Sequence, residues 1–220
     1  MSGSNAAVMG VAAGLVLIVA STLAFAAEPG AKDAFTEIAL PSEGGTTQPA
    51  AFFTAQGPRA AVWVPGKVFN KESWYFMCEL LQGFHVASLS LDGKTKTDVL
   101  NAVAFLKDKG FKEICLVGGS MGGRAVLAAL EGEVDPAVTR AVLLAPAGGP
   151  PVKHPGIAKL FIVAKDDSLK LYDPVKKICE QSADPKTWVE YDTAEHAQHL
   201  FKGAFKEKLT DDIAGFLTGE

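Results

Sequence analysis

A serine flanked by glycines joins an apolar run to a helix-forming one, and this junction constrains the fold more than any other feature of the chain. The run Ile114-Cys115-Leu116-Val117 has the character of a buried strand. Gly118-Gly119-Ser120-Met121-Gly122 follows it, and Arg124 to Leu130 is composed largely of good helix formers. A strand that feeds a helix through so short a segment must turn sharply, and the small residues around Ser120 permit that turn. The turn lifts the serine hydroxyl above the end of the sheet. The first amide of the following helix is left without a carbonyl partner, so it can face an anion.

The rest of the chain repeats the same unit. Phe35–Leu40 alternates apolar and polar residues, Ser42–Thr47 reads as a turn, and Ala50–Thr54 returns as an antiparallel partner. Ala60–Val64 is wholly apolar and ends in Pro65-Gly66, as a strand buried on both faces would. Asn70 is placed to cap a helix whose apolar positions are Trp74, Met77, Leu80, Leu81 and Phe84. Val86–Leu91 is the next strand, and the helix carrying Val99, Leu100, Val103 and Leu106 closes at Gly110. After the serine turn come strands at Ala141–Ala145, Leu160–Ala164 and Trp188–Tyr191, with helical character around Leu171–Cys179. A last helix is expected to hold Leu200, Phe201, Phe205, Leu209, Ile213 and Phe216. This order predicts an α/β domain: a mostly parallel sheet with helices on both faces, opened by an antiparallel pair. Ligands of such sheets bind beyond the carboxyl ends of the strands.

The 220 residues suffice for one such domain and are short for two. A formal charge of −4, with no Lys/Arg cluster, argues against a nucleic-acid partner. Val8–Phe25 carries no charged residue, and Ala24-Phe25-Ala26 fits a signal-peptidase site, with Glu28-Pro29-Gly30 beyond it. Residues 1–26 are therefore expected to be a signal peptide, or else an uncleaved membrane anchor, since their apolar run is long enough to span. Residues 27–220 are expected to form the single domain. Export is the expectation, and any membrane association would run through this segment only. Cys78, Cys115 and Cys179 lack CxxC spacing and read as small buried hydrophobes.

The stretch from about residue 36 to 217 resembles a small α/β-hydrolase. The resemblance is carried by VPGKVFNKESW after the third strand, GGSMGG at the turn, FIVAKDD at a later strand end and EHAQHLF before the last helix. The chain order Ser, acid, His is the one this fold uses. It implies a serine hydrolase working through an acyl-enzyme, with Ser120 as nucleophile and His196 as base. His199 is the rival for the base; the fold's register favours His196. Asp167 is the implied acid, with Ala164 in the place of the fold's usual glycine, and Asp166 is the alternative by a one-residue slip. The oxyanion would meet the backbone amides of Met121 and Lys67, with Val68 the next candidate. Pro65 stands where the fold usually has histidine. As a pair on one helix face, His196 and His199 have metal-ligand spacing, but no third ligand is near in sequence. No metal or cofactor is expected.

Lipases and epoxide hydrolases of this fold usually insert a helical cap after the strand that here ends at Ala145. Only Pro146–Ala158 is available, so no cap domain is expected and the site should be open and shallow. A small-molecule ester or related acyl compound is the expected substrate. The competing class is a catalytically silent domain of the same fold, serving as a binding or envelope-associated module.

Overall fold

The computed structural model describes Met1 and residues 35–219, so the apolar segment Val8–Phe25 and its expected cleavage site lie outside the described residues. The strands are β1 (Thr36–Pro41), β2 (Thr47–Phe53), β3 (Arg59–Val64) and β4 (Val86–Leu91), followed by β5 (Glu113–Gly119), β6 (Val138–Leu144), β7 (Ala158–Ala164) and β8 (Lys186–Tyr191). The helices are α1 (Tyr75–Gln82), α2 (Lys96–Asp108), α3 (Met121–Ala129), α4 (Tyr172–Gln181) and α5 (Lys206–Thr218). The strands make one sheet in the order β1-β2-β4-β3-β5-β6-β7-β8. Pairings β1–β2 and β2–β4 are antiparallel and the others parallel.

Position in the sheet follows from polarity. β3, β4 and β7 are buried along nearly their whole length and lie at the centre or well inside, where Ala60–Val64 and Phe161–Ala164 are shut off from solvent. The outermost strands, β1 and β8, carry Glu37, Lys186 and Glu190, which leave the sheet edges solvated. Parallel crossovers are right-handed. The chain moves from β3 outward to β4, then reverses to β5, so α1 falls on one face and α2 on the other. α1 packs on α5, and α2 packs on α3. The reversal leaves a crevice between the ends of β3 and β5, where Val64 pairs with Gly118.

Local signals fix the remaining geometry. Thr95 and Asp98 form a reciprocal capping box that starts α2. The Trp63 and Trp74 rings pack at 5.1 Å with a tilt of 43°, and the Trp63 indole donates to Ser88 Oγ on β4. Asn70 does not cap a helix through its side chain; a short 3₁₀ turn at Lys71–Trp74 intervenes before α1. The cause is the end of β4, where Asp92 accepts the Lys71 amide at 2.8 Å and Ser90 donates to the Lys71 carbonyl. Leu80 and Phe84 are exposed rather than core. The expected last helix is two elements, a 3₁₀ turn at Ala197–Lys202 and α5. Among the described residues no helix is long and apolar enough to cross a membrane.

Candidate active site

Ser120 sits between the last residue of β5 and the first of α3 with φ 51° and ψ −113°. That backbone is unfavourable for a residue with a Cβ, and it persists because its surroundings hold it. The Ser120 amide donates to Leu144 on β6, and its carbonyl accepts from Arg124 and Ala147. Two flanking glycines are required by closeness. A Cβ on Gly122 would lie 2.1 Å from the Val64 carbonyl oxygen, and one on Gly118 would lie 2.5 Å from that of Gly122. Helix and strand therefore meet backbone to backbone, and the serine hydroxyl stands at the crevice.

His196 follows the loop after β8 and brings its imidazole to the hydroxyl. Its Nε2 is 2.8 Å from Ser120 Oγ and its Nδ1 is 2.8 Å from Asp167 Oδ2. A ring protonated at Nδ1 donates to the carboxylate and accepts from the serine. Asp167 is buried in the turn after β7, and its other oxygen accepts from the Leu169 amide at 2.9 Å. That bond leaves Oδ2 facing the ring. Asp166 is exposed, and its amide is spent on the Thr193 carbonyl. The acid beside the imidazole is Asp167.

His199 lies in the 3₁₀ turn, not in the last helix. Its ring packs on Phe69 at 5.0 Å. With both His196 nitrogens engaged, the two histidines do not present a ligand pair. Among the described residues no group of three or more His, Cys, Asp or Glu could hold a metal ion. His154 offers only its carbonyl, which accepts from the buried Lys159 amine. All three cysteines are buried and free. Burial pushes the Cys78 thiol well up and that of Cys115 up to about 11, so neither is a nucleophile near neutral pH.

Two backbone segments offer donors to an oxyanion. Met121 is the first residue of α3, so its amide has no carbonyl of its own helix to meet. In the loop after β3, Pro65 has no N–H, the Gly66 N–H is taken by Gln198 Oε1 at 2.6 Å, and Phe69 donates back to Gly66. The amides of Lys67 and Val68 make no hydrogen bond within the loop. Gln198 was not singled out from the sequence; it reads there as one polar residue in EHAQHLF, and only the tertiary approach of two loops gives it a partner.

A cleft of about 230 Å³ opens over the serine, lined by Lys67, Val68, Phe69, Ser168, Leu169, His196, Ala197 and His199 among others. It is small beside ordinary ligand sites. The connection from β6 to β7 crosses next to it without a helix, held by the Ala147 amide on Ser120 and by Pro146 against Gly123.

No protein-family model matches this sequence, and no curated protein matches it. Solved structures do resemble it. An esterase of Pyrococcus furiosus superposes with a TM-score of 0.69 at 16% identity, covering 84% of this chain and 92% of that one. The esterase domain of a Rhodothermus marinus protein gives 0.67 at 15% identity, over 84% and 98%. A dienelactone hydrolase from Anabaena variabilis gives 0.67 at 20% identity, again over 84% and 98%. With the strand order and the serine turn already established, this likeness shows that the chain has the α/β-hydrolase fold, in a form without a cap domain.

Proposed function

We propose that the protein is a serine hydrolase that cleaves small carboxylic esters, or related acyl bonds, through an acyl-enzyme. The observation that carries this is the unbroken hydrogen-bond line from Ser120 Oγ through His196 to Asp167, at the strand ends where this fold keeps its ligands. The structural neighbours named esterases and hydrolases support the same reading.

In this reading, Ser120 Oγ attacks the acyl carbonyl while His196 Nε2 takes its proton. Asp167 holds the ring in the Nδ1-protonated tautomer and stabilises the imidazolium that forms; it does not itself take the proton. The carbonyl oxygen becomes an oxyanion between the amides of Met121 and Lys67. Collapse of the tetrahedral intermediate breaks the ester bond, and His196 returns its proton to the departing alkoxide. A water then attacks the acyl-serine with His196 again as base, releasing the acid and restoring the hydroxyl. Export is proposed on Val8–Ala26 alone, with a mature chain starting at Ala27; intact mass of the secreted protein checks it, and full-length protein in the cytosol contradicts it.

Turnover of p-nitrophenyl acetate tests the assignment. Ser120→Ala and His196→Ala should fall by at least about 10³-fold, and Asp167→Asn by about 10⁴-fold through the wrong tautomer. Asp166→Asn should leave turnover essentially unchanged and His199→Ala should keep most of it, since neither side chain touches the serine or the imidazole, although His199 lines the cleft. Wild-type turnover equal to that of Ser120→Ala would support the silent domain instead.

A further inference from the structure

Gln198 is almost wholly buried, two residues beyond His196, and its carboxamide lies between two glycine backbones. A Cβ on Gly119 would lie 3.0 Å from Gln198 Oε1, and one on Gly66 would lie 3.2 Å from the same atom. Both ends of the amide are used. Oε1 accepts the Gly66 N–H at 2.6 Å, and Nε2 donates to Ser73 Oγ at 2.7 Å. Ser73 in turn donates to the Asn70 carbonyl at 2.6 Å. One side chain therefore grips the loop after β3 near its start, at Gly66, and at its end, at Ser73.

We infer that Gln198 is a positioning residue that sets the oxyanion site by fixing which amides of the 66–73 loop remain free, an inference that rests on the hydrolase reading above. By occupying the Gly66 N–H it leaves Lys67 as the first unpaired donor of the loop. Because it lies on the 3₁₀ turn that begins directly after His196, it also ties the base to the oxyanion donor. Gly66 itself packs against Ser120, with a Cβ there reaching to 3.4 Å from the Ser120 Cβ, so a shift of this loop is felt at the nucleophile. Glutamine suits the place because it accepts at one end and donates at the other. Methionine is of similar size, cannot donate and accepts only weakly. Pro65 has no polar side chain with which to steady the loop, and the carboxamide does so from across the crevice.

The test compares wild type, Gln198→Met and Ser73→Ala, each titrated for reactive sites with a fluorophosphonate. Activity is read per titrated site as kcat/KM for p-nitrophenyl acetate, and affinity as Ki for an aryl trifluoromethyl ketone, which adds to the serine and leaves an oxyanion. Gln198→Met should titrate to full stoichiometry, lose about 10- to 100-fold in kcat/KM and weaken the ketone by the same factor, since donor placement to within about an ångström sets such losses. Ser73→Ala, which loosens the far end of the grip, should lose about 3- to 10-fold on both measures by the same argument, and it decides the matter if Gln198→Met fails to fold. Per-site values within twofold of wild type, or a loss confined to the fraction of reactive sites, overturn the positioning role. A wild type that the fluorophosphonate leaves untouched overturns the hydrolase reading and this inference together; a labelled wild type with unaffected variants overturns this inference alone.

Discussion

Ser120 shows what one residue costs and gains. Its φ of 51° is a conformation that glycine adopts freely and serine does not, and strain of this kind amounts to about 1–3 kcal/mol. In return the hydroxyl lines the cleft within hydrogen-bond reach of His196. Replacing it separates the two effects. Ser120→Ala keeps the Cβ and the strain, whereas Ser120→Gly relieves the strain and loses only about 0.5–1 kcal/mol of backbone entropy. The glycine variant should melt a few degrees above the alanine variant, about 2–6 °C for a domain of this size. Equal melting temperatures would mean that the turn is not strained. Ser120 was legible from the turn motif after an apolar run, and Asp167 and His196 from their chain order in the resemblance, each shortly after a strand end. Gln198 was not, since its meaning lies in a contact across 132 positions of sequence.

At the scale of elements, the strands were the most legible part, because buried parallel strands are continuous apolar runs bounded by turn residues. β5 and β6 run farther than their apolar cores, since their pairing in the sheet carries through Gly119 and from Val138. The segment between β3 and α1 was the least legible. Its 3₁₀ turn starts at Lys71, whose ammonium is nearly buried and meets Glu72 at 2.7 Å, Glu37 at 3.5 Å and Asp92 at 3.9 Å. The hydrogen bond to Glu72 holds this amine charged to well above its ordinary range, with burial opposing and the charge of Asp92 assisting. A raised folded-state pKa gives stability that is complete below the unfolded value of about 10.4 and is lost as pH climbs through the folded one. The stability difference between wild type and Lys71→Met, measured by urea unfolding, should thus be flat from pH 7 to 10 and shrink above about 10.5. A difference that already shrinks between pH 7 and 9 would contradict the pairing. The last helix was misjudged as one piece for a similar reason. The chain must turn at His196 to meet Ser120, and Gly203 lets it pass the Glu195 carboxylate, which a Cβ would approach to 2.3 Å.

At the scale of the molecule, the missing cap governs what the site can accept. Between β6 and β7 the chain spends its residues on a Pro/Gly loop that braces the serine turn, and nothing from it roofs the cleft. The apolar surface at the rim, Val68 and Leu169, is 76% and 60% exposed and offers a short wall only. Each methylene moved out of water gains about 0.8 kcal/mol where such a wall exists. Catalytic efficiency toward p-nitrophenyl esters should rise from acetyl to butyryl and stop rising, or fall, by octanoyl. A steady rise through C10 or C12 would reveal an extended groove and end the short-ester assignment. The overall architecture was readable from the alternation of strands and helices. The crevice between β3 and β5 was readable only as a rule about strand ends, because it is the sheet order that puts the Val64 and Gly118 ends together.

The account stands on Ser120 being an activated nucleophile, and covalent capture measures that directly. The wild-type protein, exposed to a fluorophosphonate and weighed intact, should gain the mass of one adduct, mapped by peptide sequencing to Ser120 and absent from Ser120→Ala. His196→Ala should label far more slowly, since the hydroxyl then has no base beside it. No adduct on folded wild type, or an adduct that persists at another residue in Ser120→Ala, would contradict the account.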